Sequence, residues 1–322
     1  MDELIANLAS IVRFATPLLL ASIGETITER AGVVNLSLDG SMVLSAMVGF
    51  VGAYATGSVV VGLALAALVG MTMALIVAFG SLTLKQDQVA VGFVLTLLGA
   101  DLAIFLGKDY RGARGVYLSQ TPVPVLSDIP VIGPIFFNHS VIVYLGFFVL
   151  AASWWMMYRT RPGLALRGVG ERPEAAFARG ARVILLRYVY AAVGGALVGL
   201  AGAQYSLDVR RGWAATPNML GEGWIALAVV IFGGWHPFKV AFGAYLYATL
   251  RTLASVLQQQ TNLPIVLLNM VPWILMILTL LLVSSGLVER LERAAPKSYK
   301  PLVRALLRSE SPRALGTDFK RE

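Results

Sequence analysis

Charged positions are sparse along this chain, and the gaps between them mark out its helices. A membrane-spanning helix takes about 20 mostly apolar residues at roughly 1.5 Å rise each. Gly40 to Leu84 holds 45 residues without Asp, Glu, Lys or Arg. That is long enough for two spans, with a break at Ala55, Thr56, Gly57 and Ser58. Val141 to Tyr158 predicts one span and Tyr188 to Leu207 another. Val89 to Leu106 predicts a span carrying one acid, Asp101, and Ile5 to Ile27 predicts a first span containing Arg13 and Glu25. Thr252 to Val288 is charge-free over 37 residues, but Gln258, Gln259, Gln260, Thr261, Asn262 and Pro264 divide it into the end of one helix and all of the next. Gly223 to Trp235 is only 13 residues long and is followed by Pro237. It reads as a half-length or broken helix, which is tolerated at membrane depth only where protein or a water-filled cavity covers the loose backbone groups. The expected fold is all-α: a polytopic membrane helical bundle of about eight to ten transmembrane segments, with broken or re-entrant helices and an internal repeat. Residues 1–288 form the membrane domain, including a cytoplasmic loop at 159–187, and residues 289–322 form a basic cytoplasmic tail.

Composition supports the same class. Of 322 residues, 57% are hydrophobic and only 14% charged, against roughly 25% charged in an ordinary soluble domain. A typical soluble enzyme is thereby excluded. The chain has no cysteine, so disulfides, thiolate metal sites and Cys nucleophiles are excluded. His139 and His236 leave little for a histidine metal centre, and no catalytic or metal-binding set is expected. The net charge of +8 is unevenly placed. Arg159 to Arg187 holds seven Arg against Glu171 and Glu174, and the chain beyond Val288 holds nine Lys plus Arg against five acids. Positive loops stay cytoplasmic, so the charge records topology, and no nucleic-acid partner is expected. Tracing back from Arg159 places Lys108 to Asn138 outside and Lys85 to Gln88 inside. Met1, Asp2 and Glu3 fall outside if every earlier segment crosses. A signal peptide is not expected, because no basic region precedes the first apolar run and no small-residue cleavage pattern follows it.

Neither a phosphate-binding GxxxxGK[ST] loop nor a nucleophile elbow occurs. Any pumping energy therefore comes from another polypeptide or from an ion gradient. The mid-span ionisable residues Asp39, Asp101, Arg251, Glu25 and Glu222 are thin for a proton relay, although an ion-coupled secondary transporter of small polar solutes remains the alternative. The densest polar cluster in apolar surroundings is Gly24 to Gly40, GETITERAGVVNLSLDG. It holds Glu25, Glu29, Arg30, Asn35 and Asp39, with Gly24, Gly32 and Gly40 as candidate breaks. Two readings stay open: a short cytoplasmic turn with Glu29 and Arg30 solvated, or a broken helix pair lining a polar passage. Asn35 to Gly40 and Asn218 to Gly223 both read Asn, three residues, acid, Gly, and each opens an apolar segment. Paired broken segments at matching positions in two halves are a pattern of transporter binding regions, and chance similarity is the competing explanation. The candidate pathway residues are Glu25, Glu29, Asn35, Asp39, Asp101, Asn218 and Glu222, with an Asp101–Arg251 pair as a further expectation.

Within the arginine-rich loop, Pro162, Gly163, Gly168, Gly170 and Pro173 punctuate the sequence, and Glu174 to Arg179 predicts a short helix with an acid at its N-terminus and a base at its C-terminus. Ala175, Ala176, Phe177 and Ala178 give it an apolar surface that a solvated loop does not require. It reads either as a simple positive-inside loop or as a docking site for a cytoplasmic partner. Gly194, Gly195, Gly199 and Gly202 form a small-residue face suited to close helix packing within the chain, or secondarily between subunits. Trp154, Trp155, Trp224 and Trp235 are placed as aromatic-belt anchors. Pro301 to Arg308 reads as a basic amphipathic helix on an anionic membrane surface or as disordered tail.

The run ERAGVVNLSLDGSM, Glu29 to Met42, after the proline-containing first span (Pro17), resembles the permease subunits of ATP-binding-cassette importers for nucleosides and simple sugars. The wider group includes ribose and branched-chain amino-acid permeases. The resemblance continues through KQDQVAVGFVLTLL (Lys85 to Leu98), LALRGVGERPEAAFARGARV (Leu164 to Val183), GALVGLAGA (Gly195 to Ala203) and GEGWIALAVVIFGGWHPFKVAFGA (Gly221 to Ala244). Asp39 stands where the family usually has Glu, Ser37 where it has Gly, and Ser41 where it has Met. The resemblance implies a bacterial or archaeal plasma (inner) membrane importer. Its parts are this chain and a second, nonidentical permease, both set in membrane lipid, two cytoplasmic ATPase subunits that bind the ATP and Mg, and an extracytoplasmic substrate-binding protein. It implies no cofactor in this chain. It places Gly170, Arg172, Glu174, Ala175, Ala176, Phe177, Arg179 and Gly180 in the coupling helix that meets the ATPase, and Glu29 to Asp39 beside the translocation path.

Overall fold

The computed structural model describes residues 2–113, 115–214, 219–260, 311–317 and 319, together with positions 270, 273, 274, 277, 278 and 281. Among these the regular secondary structure is helical, apart from one isolated antiparallel pairing of Gln120 with Ser140. The helices are α1 (Asp2–Arg30), α2 (Leu38–Thr56), α3 (Val59–Ala78), α4 (Gln88–Leu106), α5 (Ile132–Phe136) and α6 (Val141–Arg159), followed by α7 (Arg161–Glu171), α8 (Pro173–Ala178), α9 (Val183–Gln204), α10 (Glu222–Phe232) and α11 (Pro237–Gln260). Seven of them are long and apolar enough to cross a membrane: α1, α2, α3, α4, α6, α9 and α11. The protein is therefore an all-α, multi-pass membrane bundle. α10 has 11 residues, about 16 Å of helix, and is the half-length element expected from Gly223 to Trp235. Of the span expected before Val288 only positions 270, 273, 274, 277, 278 and 281 are described, all helical, and the segment Pro301 to Arg308 lies outside the described residues.

Local signals account for most boundaries. Gly57 closes α2 at φ 69°, a backbone conformation that glycine adopts without steric cost, so the predicted break at Ala55 to Ser58 is present. Asp87 caps α4 by accepting from the Ala90 N–H at 2.8 Å. α3 and α9 each end in one π-helical turn, Phe79–Thr83 and Tyr205–Val209. Sequence reading leaves α7 as a loop because of its prolines and glycines. The structure shows why that fails: Pro162 sits in the first turn, where its missing N–H is not needed, and Thr160 caps the helix at Gly163 N.

α9 is the central helix. A Cβ on Gly195 would crowd Gly70 and Ala74 of α3, and one on Gly199 would overlap the Ala66 carbonyl of the same helix. Gly194 is seated on the Gly24 carbonyl of α1, and Gly202 on the Met42 carbonyl of α2. The small-residue face thus packs within the chain, where close backbone approach replaces the missing hydrophobic drive. Two expected breaks do not occur. α1 runs unbroken past Gly24, whose missing side chain makes room for Gly194, and Gly40 lies inside the first turn of α2 against Thr96. Only Gly32, at φ 89°, marks a break.

The end bearing residues 159–187 is the one that its arginine bias predicts to face the cytoplasm. At the opposite, outer end Arg13 Nε donates to Asp208 Oδ1 at 2.9 Å and Ser140 Oγ to Asp208 Oδ2 at 2.7 Å. These bonds tie α1, the start of α6 and the last turn after α9 together. The loop between α4 and α6 folds over this end, with Leu118 N–H donating to Leu207 O at 3.0 Å and Gly112 N–H to Trp213 O at 3.2 Å.

Candidate translocation path and coupling surface

Two helices begin in the interior and meet head to head. α2 starts beside Thr96, near the middle of α4, since a Cβ on Gly40 would overlap the Thr96 backbone. α10 starts against it, since a Cβ on Gly223 would overlap the backbone of Asp39. Asp39 Oδ1 accepts from Gly221 N–H at 2.8 Å and Gly223 N–H at 2.9 Å. The first N–H groups of a helix have no partner within it, so a carboxylate from α2 caps α10 across the joint, the favourable sense for a helix N-terminus. The two Asn-xxx-acid-Gly motifs therefore touch through Asp39 and Gly223; Asn218 lies outside the described residues.

Glu222, in the first turn of α10, accepts from Tyr205 OH at 2.8 Å and from Arg251 of α11. Arg251 also donates to Tyr205 OH at 2.7 Å. The expected Asp101–Arg251 pair is thus corrected: the carboxylate beside Arg251 is Glu222, while Asp101 is exposed on α4 among exposed Leu97, Leu98, Leu102 and Phe105. Glu25 is fully buried, and its Oε1 accepts from Asn35 N–H at 3.0 Å. Asn35 Oδ1 accepts from Ser37 Oγ at 2.6 Å and Ser37 N–H at 3.2 Å.

The solvated-turn reading of Glu29 and Arg30 does not hold. Glu29 is buried and accepts from Trp235 Nε1. Trp235 is consequently an interior hydrogen-bond donor rather than a belt anchor. Arg30 donates to the carbonyls of Trp235 and Gly234 at 3.2 and 3.3 Å. Four side chains on α1, α2, α9 and the loop between α1 and α2 keep buried polar atoms with no partner among the described residues: Glu25 Oε2, Asn35 Nδ2, Ser45 Oγ and both polar atoms of Gln204. A plain apolar core rarely tolerates such atoms, since each costs about 1–3 kcal/mol.

At the outer end a cavity of about 400 Å³ is lined by residues including Tyr117, Tyr205, Ser206, Arg210, Trp213 and Met219. Its floor includes Tyr205, the residue that holds Glu222 at the joint. Sequence reasoning missed Gln204, Tyr205 and Ser206, although Gln204 and Ser206 were polar interruptions inside the charge-free window Tyr188 to Leu207.

At the cytoplasmic end, Gly170 is seated on the Arg30 carbonyl and Pro173 is buried, which fixes the elbow between α7 and α8. Arg172, Glu174, Ala175, Phe177, Arg179 and Gly180 are exposed and Ala176 is half-buried. α8 covers the short helix expected at Glu174 to Arg179 and presents its apolar surface outward. Nearby, burial together with the positive charges of Lys239 and Arg30 lowers the pKa of His236 below the ordinary histidine value.

A multi-pass bundle with two helices meeting head to head inside it, an outer cavity above the joint and an exposed helical elbow below it defines a membrane transport subunit. The chain belongs to the family described as the branched-chain amino acid transport system / permease component, whose model matches residues 7–280. It is 38% identical over 247 residues to TsgC13 of Haloferax volcanii, provisionally named a glucose ABC transporter permease protein, covering 75% of this chain and 74% of that one. It is 31% identical over 288 residues to the nucleoside ABC transporter permease protein NupC of Lactococcus lactis subsp. cremoris, covering 85% and 90%. It is 32% identical over 304 residues to the guanosine ABC transporter permease protein NupQ of Bacillus subtilis, covering 88% and 92%. No solved structure matches the chain. The protein is a transmembrane permease subunit of an ATP-binding-cassette transporter.

Proposed function

We propose that this chain forms half of the translocation path of an importer for a nucleoside or a simple sugar in a bacterial or archaeal plasma membrane. A second, nonidentical permease supplies the other half, an extracytoplasmic binding protein delivers the substrate to the outer cavity, and two ATPase subunits, which bind ATP and Mg, dock on α8. The observation that carries this reading is the joint of α2 and α10, placed between the outer cavity and the exposed elbow. Asp39 and Glu222 lie at that joint and Glu25 and Asn35 beside the start of α2, and the unpartnered polar atoms of Glu25, Asn35, Ser45 and Gln204 among the described residues suit a passage that is wetted when it opens. Tyr117, Tyr205 and Trp213 offer ring faces to a base or sugar, and Arg210 offers donors to hydroxyls. The names of NupC, NupQ and TsgC13 support the same two substrate classes.

Substrate binding to the permease is weak in this scheme, because a ligand shifts two states only by its differential affinity for them. ATP-driven closure of the ATPase pair supplies the rest by moving α8. The test is uptake of labelled nucleosides and sugars into proteoliposomes holding the whole complex. ATP-dependent uptake that survives an uncoupler supports the reading. Uptake that needs no ATPase and collapses with the proton gradient overturns it in favour of an ion-coupled carrier.

A further inference from the structure

Residues 311–317 and Phe319, remote in sequence from every helix they touch, are pinned to the cytoplasmic end at four places. Ala314 N–H donates to Gly170 O at 2.9 Å, at the elbow of α7 and α8. Gly316 N–H donates to Gly32 O at 3.3 Å, in the loop between α1 and α2. Arg187, fully buried near the start of α9, donates Nη1–H to Thr317 O at 3.0 Å. The Phe319 ring lies 5.6 Å from that of Phe177, centroid to centroid. Pro312 and Ala314 are buried, and the turn is closed by Leu315 N–H to Pro312 O and Thr317 N–H to Ala314 O at 3.1 and 3.2 Å.

Such a set is more than a tail resting on a surface. A buried arginine is costly unless its donors are met, and one acceptor for Arg187 comes from this segment. The contacts also reach the three elements that converge below the joint. Phe177 is 41% exposed, and Phe319 is half-buried beside it, so the two rings form one apolar face. Arg172 and Arg179 flank α8 at its two ends and Arg313 precedes Ala314; all three are exposed and, with the exposed Glu174, give this region a net positive charge. An apolar centre with a charged rim is the usual anatomy of a protein interface, and the cationic rim fits an acidic partner surface.

We propose that Pro312 to Thr317, together with Phe319, is a second wall of the ATPase docking surface, contacting the ATPase together with α8 and tying α8 to the loop that leads into α2. This rests on the reading of α8 as the coupling helix. When the ATPase moves α8, the segment carries the displacement through Gly170 and Gly32 toward Asp39, seven positions beyond Gly32. It thus couples the docking face to the joint, and the face is incomplete without it.

The experiment uses the whole complex in proteoliposomes and compares Phe319→Ala, Phe177→Ala, the double variant and a chain ended after Glu310. Transport-coupled ATP hydrolysis and co-purification of the ATPase are read together with membrane insertion. Phe319→Ala should lower coupled hydrolysis about fivefold with insertion intact, and the double variant should be no worse than the poorer single one, because the rings act as one face. Normal coupling in Phe319→Ala and in the shortened chain, with Phe177→Ala defective, overturns the inference and leaves the docking role of α8 standing. Normal coupling in every variant overturns both. If the shortened chain fails to insert, Phe319→Ala, which keeps every backbone bond, decides the matter alone.

Discussion

Replacing Asp39 tests the joint most closely, because one carboxylate oxygen there receives two backbone N–H groups from another helix. In Asp39→Ala the buried donor on Gly223 and the part-buried donor on Gly221 lose their acceptor. A stranded buried donor costs about 1–3 kcal/mol, so the pair is worth about 2–4 kcal/mol after some relaxation of the cap. Asp39→Asn keeps an oxygen acceptor and loses only the charge facing a helix N-terminus, about 0.5–1 kcal/mol. Hydrogen exchange followed by mass spectrometry on the chain in lipid nanodiscs reads this locally, since opening of α10 exposes those amides. Exchange over residues 221–225 should rise at least about thirtyfold in Asp39→Ala and less than about fivefold in Asp39→Asn. Equal protection in wild type and Asp39→Ala would show that the carboxylate does not hold α10, and the reasoning would fail.

Further predictions concern the helices around the joint. Among the described residues Arg251→Leu leaves the Glu222 carboxylate with the Tyr205 hydroxyl as its hydrogen-bond partner; because the Arg251 side chain is 30% exposed, the cost should be about 1–2 kcal/mol rather than that of a fully buried pair. The double variant Glu222→Gln/Arg251→Leu should lose less thermal stability in detergent than the two single losses added together. Gly199→Leu forces a side chain into the Ala66 backbone and should cost more than about 3 kcal/mol or abolish a monodisperse product. By contrast Gly57→Ala, which meets open space, should cost only about 1 kcal/mol for its positive φ. Trp235→Phe removes the donor to buried Glu29 and should lower the thermal midpoint, whereas Trp155→Phe, at a residue 60% exposed, should leave it unchanged.

The spans were legible because a bilayer demands runs of uncharged residues, and such runs need no knowledge of partners. The half-length of α10 followed from Gly223 to Trp235 and Pro237 for the same reason. The elbow was half legible: α8 was visible in its dipole pattern, while α7 was hidden because Pro162 and three glycines look like breakers until the structure shows Pro162 in the first turn and Gly163 and Gly170 buried against neighbouring backbone. Glu25, Asp39 and Glu222 stood out as acids in apolar sequence. Their partners did not, because the Glu222–Arg251 and Asp39–Gly223 contacts join residues far apart in the chain, and nothing in spacing distinguishes Arg251 meeting Glu222 from Arg251 meeting Asp101. Trp235 was misplaced because a tryptophan near a span end has the same sequence signature whether its ring faces lipid or donates inward to Glu29.

The central claim is that the joint separates an open outer cavity from a closed interior lined with polar groups. The natural absence of cysteine makes single-cysteine labelling direct: Ala113→Cys in the outer cavity and Asn35→Cys in the buried loop between α1 and α2, probed with a membrane-impermeant thiol reagent in the complete complex. Ala113→Cys should react from outside at once, while Asn35→Cys should stay silent in the resting complex and become reactive only when ATP and substrate drive turnover. Equal and immediate labelling of both in the resting complex, or silence of Asn35→Cys throughout turnover, would contradict the account.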